Sequence, residues 1–245
     1  MSKHSKWHSI KHKKGIADQK RGAVFTKIAK LITIAANGGG DPNMNPSLAL
    51  AIQKAKAANM TNDNIDRAVQ KGMGGGKDGE ELFEIVYEGY GPHGVAVMVR
   101  ALTNSKNRTA GSVRHIFSKA GGNLGETNSV SYLFSKKGII DISFAPAKRE
   151  QVEELILESG ADDFEELDEN TLQVFCDPLN LHAVRQFFSK NPLVTIQEAK
   201  FGYVPGTSVD VPDTATEDVM NFLEELEDDE DVDEIFTNVQ FTDHG

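Results

Sequence analysis

Apolar positions along the chain follow two periods, and the change between them divides the molecule. Val24, Ile28, Leu31, Ile32 and Ala35 recur at helical spacing while Lys27 and Lys30 fall between them, so an amphipathic helix with outward lysines is expected. It should stop at Asn37-Gly38, where glycine accepts the left-handed conformation that closes helices. Asn45 followed by Pro46 reads as the cap and first turn of a second helix through Leu48, Ile52 and Ala55. A third, after Thr61, carries Ile65, Ala68 and Val69 and ends at Gly72. Three short helices of this kind make a small bundle, and GMGGGKDG over 72–79 reads as a linker and domain boundary.

Beyond the linker the period becomes that of strands. FEIVYEGYG and VAVMVRAL are strand patterns, a helix from about Arg108 to Ala120 closes at Gly121, and SVSYLF reads as a further strand. From Gly138 the order is strand GIIDISF, helix AKREQVEELILES ending at Gly160, strands FEELD and TLQVFC, a helix capped by Asp177 with Pro178 at its first position, and strand TIQEAKF. Strand-helix-strand-strand-helix-strand is the order of a ferredoxin-like split unit. A helix from about Thr216 to Asp228 and a strand near Ile235 to Phe241 then need a sheet to join. If they complete the earlier sheet, the ferredoxin-like unit is an insertion. The expected fold class is therefore α+β: a basic arm and three-helix bundle over 1–75, a discontinuous central α/β domain over 80–136 and 206–245, and an inserted ferredoxin-like domain over 137–205.

Composition suits a folded chain, with 39% hydrophobic and 26% charged residues. No apolar run approaches the ~20 residues of a membrane span, and the N-terminus lacks a secretory pattern, so a cytoplasmic address and no membrane partner are expected. Cys176 is the only cysteine. It excludes an intrachain disulfide or a Cys-rich zinc site, and its place in TLQVFC predicts burial as a small hydrophobe.

Charge changes the picture more. The net charge is −11, yet residues 1–120 hold 19 basic against 9 acidic residues, and 121–245 hold 7 against 28. One half attracts phosphate and the other repels it, which points to a nucleic-acid partner because the local field governs encounter. Positive charge is densest over 1–21, where Lys3, Lys6, Lys11, Lys13, Lys14, Lys20 and Arg21 face only Asp18. That segment has too few apolar residues to fold by burial, so a mobile arm that orders on binding is expected. Its Trp7, the only tryptophan, suits stacking on a base, and His8 and His12 beside the lysines suit phosphate or base contact. Lys27 and Lys30 would extend this surface, and Lys106, Arg108 and Arg114 would form a second positive patch. The acidic run from Glu224 to Glu234 reads as a solvated helix end and loop, or as a face that repels phosphate and so orients the basic face, or that docks on the arm when nucleic acid is absent.

Several patterns mimic other chemistry. Gly89, Gly91 and Gly94 form a literal G-x-G-x-x-G, but Pro92 interrupts it and a strand pattern follows where a dinucleotide site needs a helix, so a hairpin turn is expected. GGGK ending at Lys77 fails as a phosphate loop, because Lys71 replaces the first glycine and Asp78 the magnesium-binding hydroxyl. His4, His8 and His12 share a helical spacing, but flanking lysines repel a divalent cation and no carboxylate completes a shell, so no metal is expected. No nucleophile or paired-carboxylate constellation stands out, so neither catalysis, nor a cofactor, nor a small-molecule substrate is expected.

The run from HSKWHSIKHKKGIADQKRGAVFTKIAKLITIAANGGGDPNMNPSL to AVQKG, continued by YEGYGPHGVAVMV, LTNSKNRTAGSVRHIFSKAGGNLG and SVSYLF, closely resembles the YebC family. That family includes PmpR-type bacterial transcriptional regulators and the mitochondrial translational activator of cytochrome oxidase. Departures are small: Ser2-Lys3 stands where Ala-Gly is usual, and His8-Ser9 where Ala-Asn is common. The resemblance implies the three-domain organisation above, no catalytic residues, and two competing roles. One is a DNA-binding transcriptional regulator, and the other is an RNA- or ribosome-associated translation factor. Charge alone does not separate them, and a protein-binding scaffold using the acidic half is a third class. No sequence feature sets the oligomeric state.

Overall fold

The computed structural model describes residues 18–75 and 81–241. They fall into two compact units, one of residues 18–132 with 211–237 and the other of 133–210 with 238–241.

In the first unit the bundle consists of α1 (Asp18–Ala36), α2 (Pro46–Ala57) and α3 (Asn62–Gln70). Ile28, Ile32, Leu48, Ala51, Ala55, Met60 and Ile65 fill its core, the positions that helical periodicity singles out plus the small residues that let helices approach. Asn45 caps α2 by accepting from the Leu48 N–H at 3.1 Å, and its amide donates to the carbonyls of Ala35 and Gly39 at 2.7 and 2.8 Å. One buried side chain thus closes α1 and opens α2. The expected glycine stop shifts by one residue. Gly39, with φ +126°, takes the positive-φ conformation, and Gly38 does not. After α3 a turn over Lys71–Gly75 lies against α1 at Gly72, where an added Cβ would stand 2.2 Å from the Thr33 carbonyl oxygen.

The central sheet of the same unit has the order β3-β1-β2-β9, formed by β1 (Phe83–Tyr90), β2 (Ala96–Thr103), β3 (Asn123–Leu124) and β9 (Val232–Thr237). Between them come α4 (Lys106–Lys119) and α7 (Asp213–Asp228), whose Phe117 and Phe222 meet edge to face at 4.9 Å. The C-terminal helix and strand therefore complete the sheet begun by β1 and β2, as the orphan pair demanded. G-x-G-x-x-G is the β1–β2 hairpin turn, with Tyr90 paired to Ala96. Its glycines are dictated by packing and turn geometry: a Cβ on Gly91 would stand 2.5 Å from Cε1 of buried Phe222, and Gly94 has φ +76°.

Of SVSYLF only Phe134 is strand, as the first residue of the strand Phe134–Phe144, which corrects the sequence expectation. Glu88, buried on β1, accepts from the backbone N–H groups of Asn128, Val130 and Ser131 at 2.8 to 3.0 Å. Those donors are therefore unavailable to a neighbouring strand, and Ser131–Leu133 forms a 3-10 turn. Burial works to raise the Glu88 pKa, but the amide donors outweigh it and hold the carboxylate below its ordinary value.

The second unit carries β4 (Phe134–Phe144), α5 (Arg149–Glu158), β5 (Asp163–Asp168), β6 (Thr171–Cys176), α6 (Leu181–Ser189) and β7 (Val194–Pro205). The antiparallel sheet runs β5-β6-β4-β7, the ferredoxin-like order, and β8 (Val209–Val211) pairs with β10 (Val239–Phe241). Cys176 is fully buried, and burial with the nearby Asp162 and Asp177 pushes its thiol up to about 11, so it is no nucleophile at neutral pH. The fold class is α+β.

Replacing Gly91 by Ala should lower the free energy of unfolding by about 1–3 kcal/mol, since the new methyl must displace the Phe222 ring from a packed core. Urea unfolding measures this, and a change below about 0.5 kcal/mol would show that the ring yields freely.

Candidate nucleic-acid interface

Residues Lys3, Lys6, Trp7, His8, Lys11, His12, Lys13 and Lys14 lie outside the described residues. Lys20 and Arg21 lie in the first turn of α1. The structure locates the remaining expected cations, and it moves two of them. Lys27 donates to the Glu227 carbonyl at 2.8 Å, and Lys30 donates to the Asp231 carboxylate at 2.7 Å and the Glu230 carbonyl at 3.1 Å. Their side of α1 therefore faces the acidic segment, which corrects the expectation of outward lysines. Helical periodicity separates the polar face of α1 from its apolar one but does not reveal that a second element packs against the polar face.

That acidic segment is itself the second correction. Asp231 is 3% exposed and Glu234 6% exposed, where a solvated run was expected. Asp231 accepts from Lys30 on one oxygen, and from Arg108 at 2.7 Å on the other, with the hydroxyls of Thr109 and Thr103 at 2.8 and 3.3 Å from that second oxygen. Its backbone carbonyl accepts from the Leu102 N–H at 2.8 Å. Arg100 of β2 pairs with Asp233 and Glu234 at 2.6 and 2.7 Å, Ser112 of α4 hydrogen-bonds Asp229, and Lys119 pairs with Glu225 at 2.8 Å. One acidic strand start thus ties α1, β2 and α4 together. A signal existed in the sequence: Arg100 sits alone in the apolar run VAVMVRAL, and a charge in a central strand requires a buried partner.

Of the second expected patch, Arg108 is half committed. It is 50% exposed, and its contact with the 79% exposed Glu230 is long, at 3.8 Å. Lys106 places its ammonium 3.8 Å from the centroid of the Phe83 ring. Arg114 is exposed on the outer face of α4 beside His115, with Asn107, Gly111 and Ser118 also exposed. Residues 89–125 contain five basic residues and no acidic one, so this face carries positive charge of its own.

A cleft of about 1020 Å³ opens between the bundle and the β2–α4 connection. Arg67 and Lys71 line it together with Lys30 and Arg108, and neither Arg67 nor Lys71 was singled out from the sequence. Their signal is faint, because each is a single cation on a short helix or turn. Among the described residues no group of three His, Cys, Asp or Glu side chains could hold a metal ion, and no helix is long and apolar enough to cross a membrane.

A three-helix bundle joined through buried ion pairs to an antiparallel sheet, with a ferredoxin-like unit inserted and a basic helix face exposed, defines a modular α+β protein. Residues 5–75 match the model of the TACO1/YebC protein N-terminal domain, and residues 82–239 match that of the TACO1/YebC second and third domain. The chain belongs to the TACO1/YebC family. It is 47% identical over 247 residues to a protein of Desulfitobacterium hafniense named "Probable transcriptional regulatory protein", covering 99% of this chain and 97% of that one. A protein of Persephonella marina with the same name is 45% identical over 245 residues, with 99% and 97% covered. The crystal structure of a conserved hypothetical protein from Aquifex aeolicus superposes with a TM-score of 0.87 at 39% identity, covering 96% of both chains.

The Asp231 cluster sets a pH limit on the fold. Burial works to raise the Asp231 pKa, but hydrogen bonds from Lys30, Arg108 and Thr109 and the Lys30 charge outweigh it and hold the carboxyl at about 2. A carboxyl lowered in the folded state contributes its full stability above its ordinary pKa of 3.8, and that contribution is lost as pH falls toward about 2. Asp231→Asn should therefore lower unfolding free energy at pH 7 by about 2–4 kcal/mol, because two cations lose a buried partner. It should also flatten the decline in stability between about pH 4 and 2. Urea unfolding across that range decides, and identical acid limbs for both proteins would refute the assignment.

Proposed function

We propose that this chain is a non-enzymatic, cytoplasmic nucleic-acid-binding regulator of gene expression, and that its target is DNA. The observation that carries the reading is the acid-free outer face of α4, where Arg114 and His115 stay exposed while the acidic segment is engaged by Lys30, Arg100, Arg108 and Lys119. Internal pairing of the carboxylates keeps them from cancelling the field of this face and of the N-terminal lysines. The relatives' name, probable transcriptional regulatory protein, supports the same reading. In it, Lys3, Lys6, Lys11, Lys13, Lys14, Lys20 and Arg21 neutralise backbone phosphate, Trp7, His8 and His12 contact bases or phosphate, and Arg114 with Lys106 and the free side of Arg108 forms the second contact. The domain limits read from the sequence, 1–75, 80–136 with 206–245, and 137–205, belong to this proposal.

A ribosome- or RNA-associated translation factor is the second reading. The outer face of α4 favours it, because Asn107, Gly111, Arg114, His115 and Ser118 offer few side chains for reading base edges in a duplex groove. Phosphate contact of that sort gives affinity without sequence choice.

If about five phosphates are neutralised, log K for duplex DNA should fall with log salt at a slope near −4.5. Charge reversal at Lys11, Lys13 and Lys14 together should weaken binding and bring the slope toward about −2, with the melting temperature nearly unchanged. Fluorescence anisotropy over a salt series measures both. An unaltered affinity in the triple variant would remove the arm from the interface, and sedimentation with ribosomes that survives DNase would transfer the target to RNA.

A further inference from the structure

We infer that the cleft between α1, α3, the Lys71–Gly75 turn and the β2–α4 connection is a binding site for an unpaired nucleotide, taken from a single strand in preference to a duplex. This rests on the nucleic-acid reading above and narrows it to a class of target.

Three features of the cleft bear on what it can hold. Its volume of about 1020 Å³ lies at the upper end of the ~300–1,000 Å³ typical of small-molecule sites, ample for a base, its sugar and the flanking phosphates. Its apolar surface comes from Phe25 and Ala29 of α1, buried Met60, and Leu82. Phe25 and Ala29 are one helical turn apart and so share a face, giving an aromatic ring beside a flat methyl surface against which a base can stack. Around this surface stand exposed guanidinium and amide groups, with the exposed carboxylates of Glu81 and Glu230 also on the rim. Arg67 and Arg108 are guanidinium groups suited to bidentate phosphate contact, and Asn64 and Asn104 carry amides that both donate and accept, as the edge of an unpaired base requires.

Electrostatic availability supports the assignment. Arg67 has no carboxylate partner among the described residues, and Arg108, although one of its nitrogens is held by Asp231 at 2.7 Å, stays 50% exposed, with its contact to exposed Glu230 long enough for an incoming phosphate to replace. The wall is well defined, since Gly72 seats the turn directly on α1 with no room for a side chain between them. A duplex presents its bases edge-on within grooves and cannot lay one flat on Phe25, whereas an unstacked nucleotide can. Phe25 lies seven residues into α1, about 10 Å from the point where the basic arm joins it, so a strand held by the arm lies within reach of the cleft.

The experiment titrates the full chain with fluorescein-labelled twelve-nucleotide single strands of RNA and of DNA, and with the same DNA as a duplex, followed by competition with nucleoside monophosphates and with inorganic phosphate. Two variants probe the cleft, Arg67→Glu and Asn64→Ala, both at exposed positions of α3, with the melting temperature as a check that the bundle is intact. Arg67→Glu should weaken single-strand binding by about tenfold and Asn64→Ala by about threefold to fivefold, while duplex affinity changes less than about twofold. Stronger binding of RNA than DNA, or the reverse, identifies the strand. Displacement by a monophosphate but not by phosphate supports the cleft and shows that free nucleotides also enter it. If inorganic phosphate competes as well as the monophosphates, no base is held and the proposal fails. Equal loss of duplex and single-strand binding, or no loss of either, overturns the cleft and leaves the regulator reading standing. Failure of the intact chain to bind any nucleic acid at low salt overturns both.

Discussion

The carboxylate of Asp231 is the point on which the first unit is assembled. It is almost wholly removed from water, and an unpaired charge there would be very costly, so the elements around it must bring their donors together. Lys30 comes from the bundle, Arg108 and Thr109 from the start of α4, and Thr103 from the end of β2. These four residues are remote in sequence from Asp231 and close only in the fold. The bundle and the sheet, which sequence periodicity separates, accordingly cluster as one compact unit.

The same cluster changes the meaning of the net charge. A chain at −11 would be a poor ligand for a polyanion if its charges were spread evenly. Here several of the carboxylates face inward or are paired: Asp231 with Lys30 and Arg108, Asp233 and Glu234 with Arg100, Glu225 with Lys119. The cations that remain for a partner lie on other surfaces, such as Arg114 on α4 and Arg67 on α3. Sorting by position, more than the total, decides which face of the unit attracts phosphate.

Much of the fold was legible in the sequence because it depends on local chemistry. Asn45-Pro46 marked the start of α2, Gly121 and Gly160 with their positive φ marked helix ends, and the order of elements after Gly138 identified the ferredoxin-like sheet. What escaped depends on long-range partners. SVSYLF has a strand pattern, and only the Glu88 carboxylate, some forty residues earlier, removes the donors a strand would use. The acidic run reads as solvated until Arg100 and Lys30 are placed beside it. For the candidate site, charge asymmetry marked the arm and α4, whereas the cleft with Arg67 and Asn64 is assembled from several elements and left no contiguous trace.

Helix α1 connects these observations. Its Ile28 and Ile32 face the bundle core, its Lys27 and Lys30 reach the acidic segment, and Phe25 and Ala29 line the cleft. Three contacts of different chemistry on one helix leave little freedom in how it is oriented, since rotating it to improve one would break the others. The basic segment enters the fold through this same helix, at Asp18. An anion drawn to that segment therefore meets a helix already fixed at both the core and the ion-pair cluster, and a preorganised surface loses less entropy on binding than one that must first be ordered. On the proposed reading, the rigidity contributed by Asp231 and the affinity contributed by the lysines act on one element, although the residues responsible lie at opposite ends of the chain.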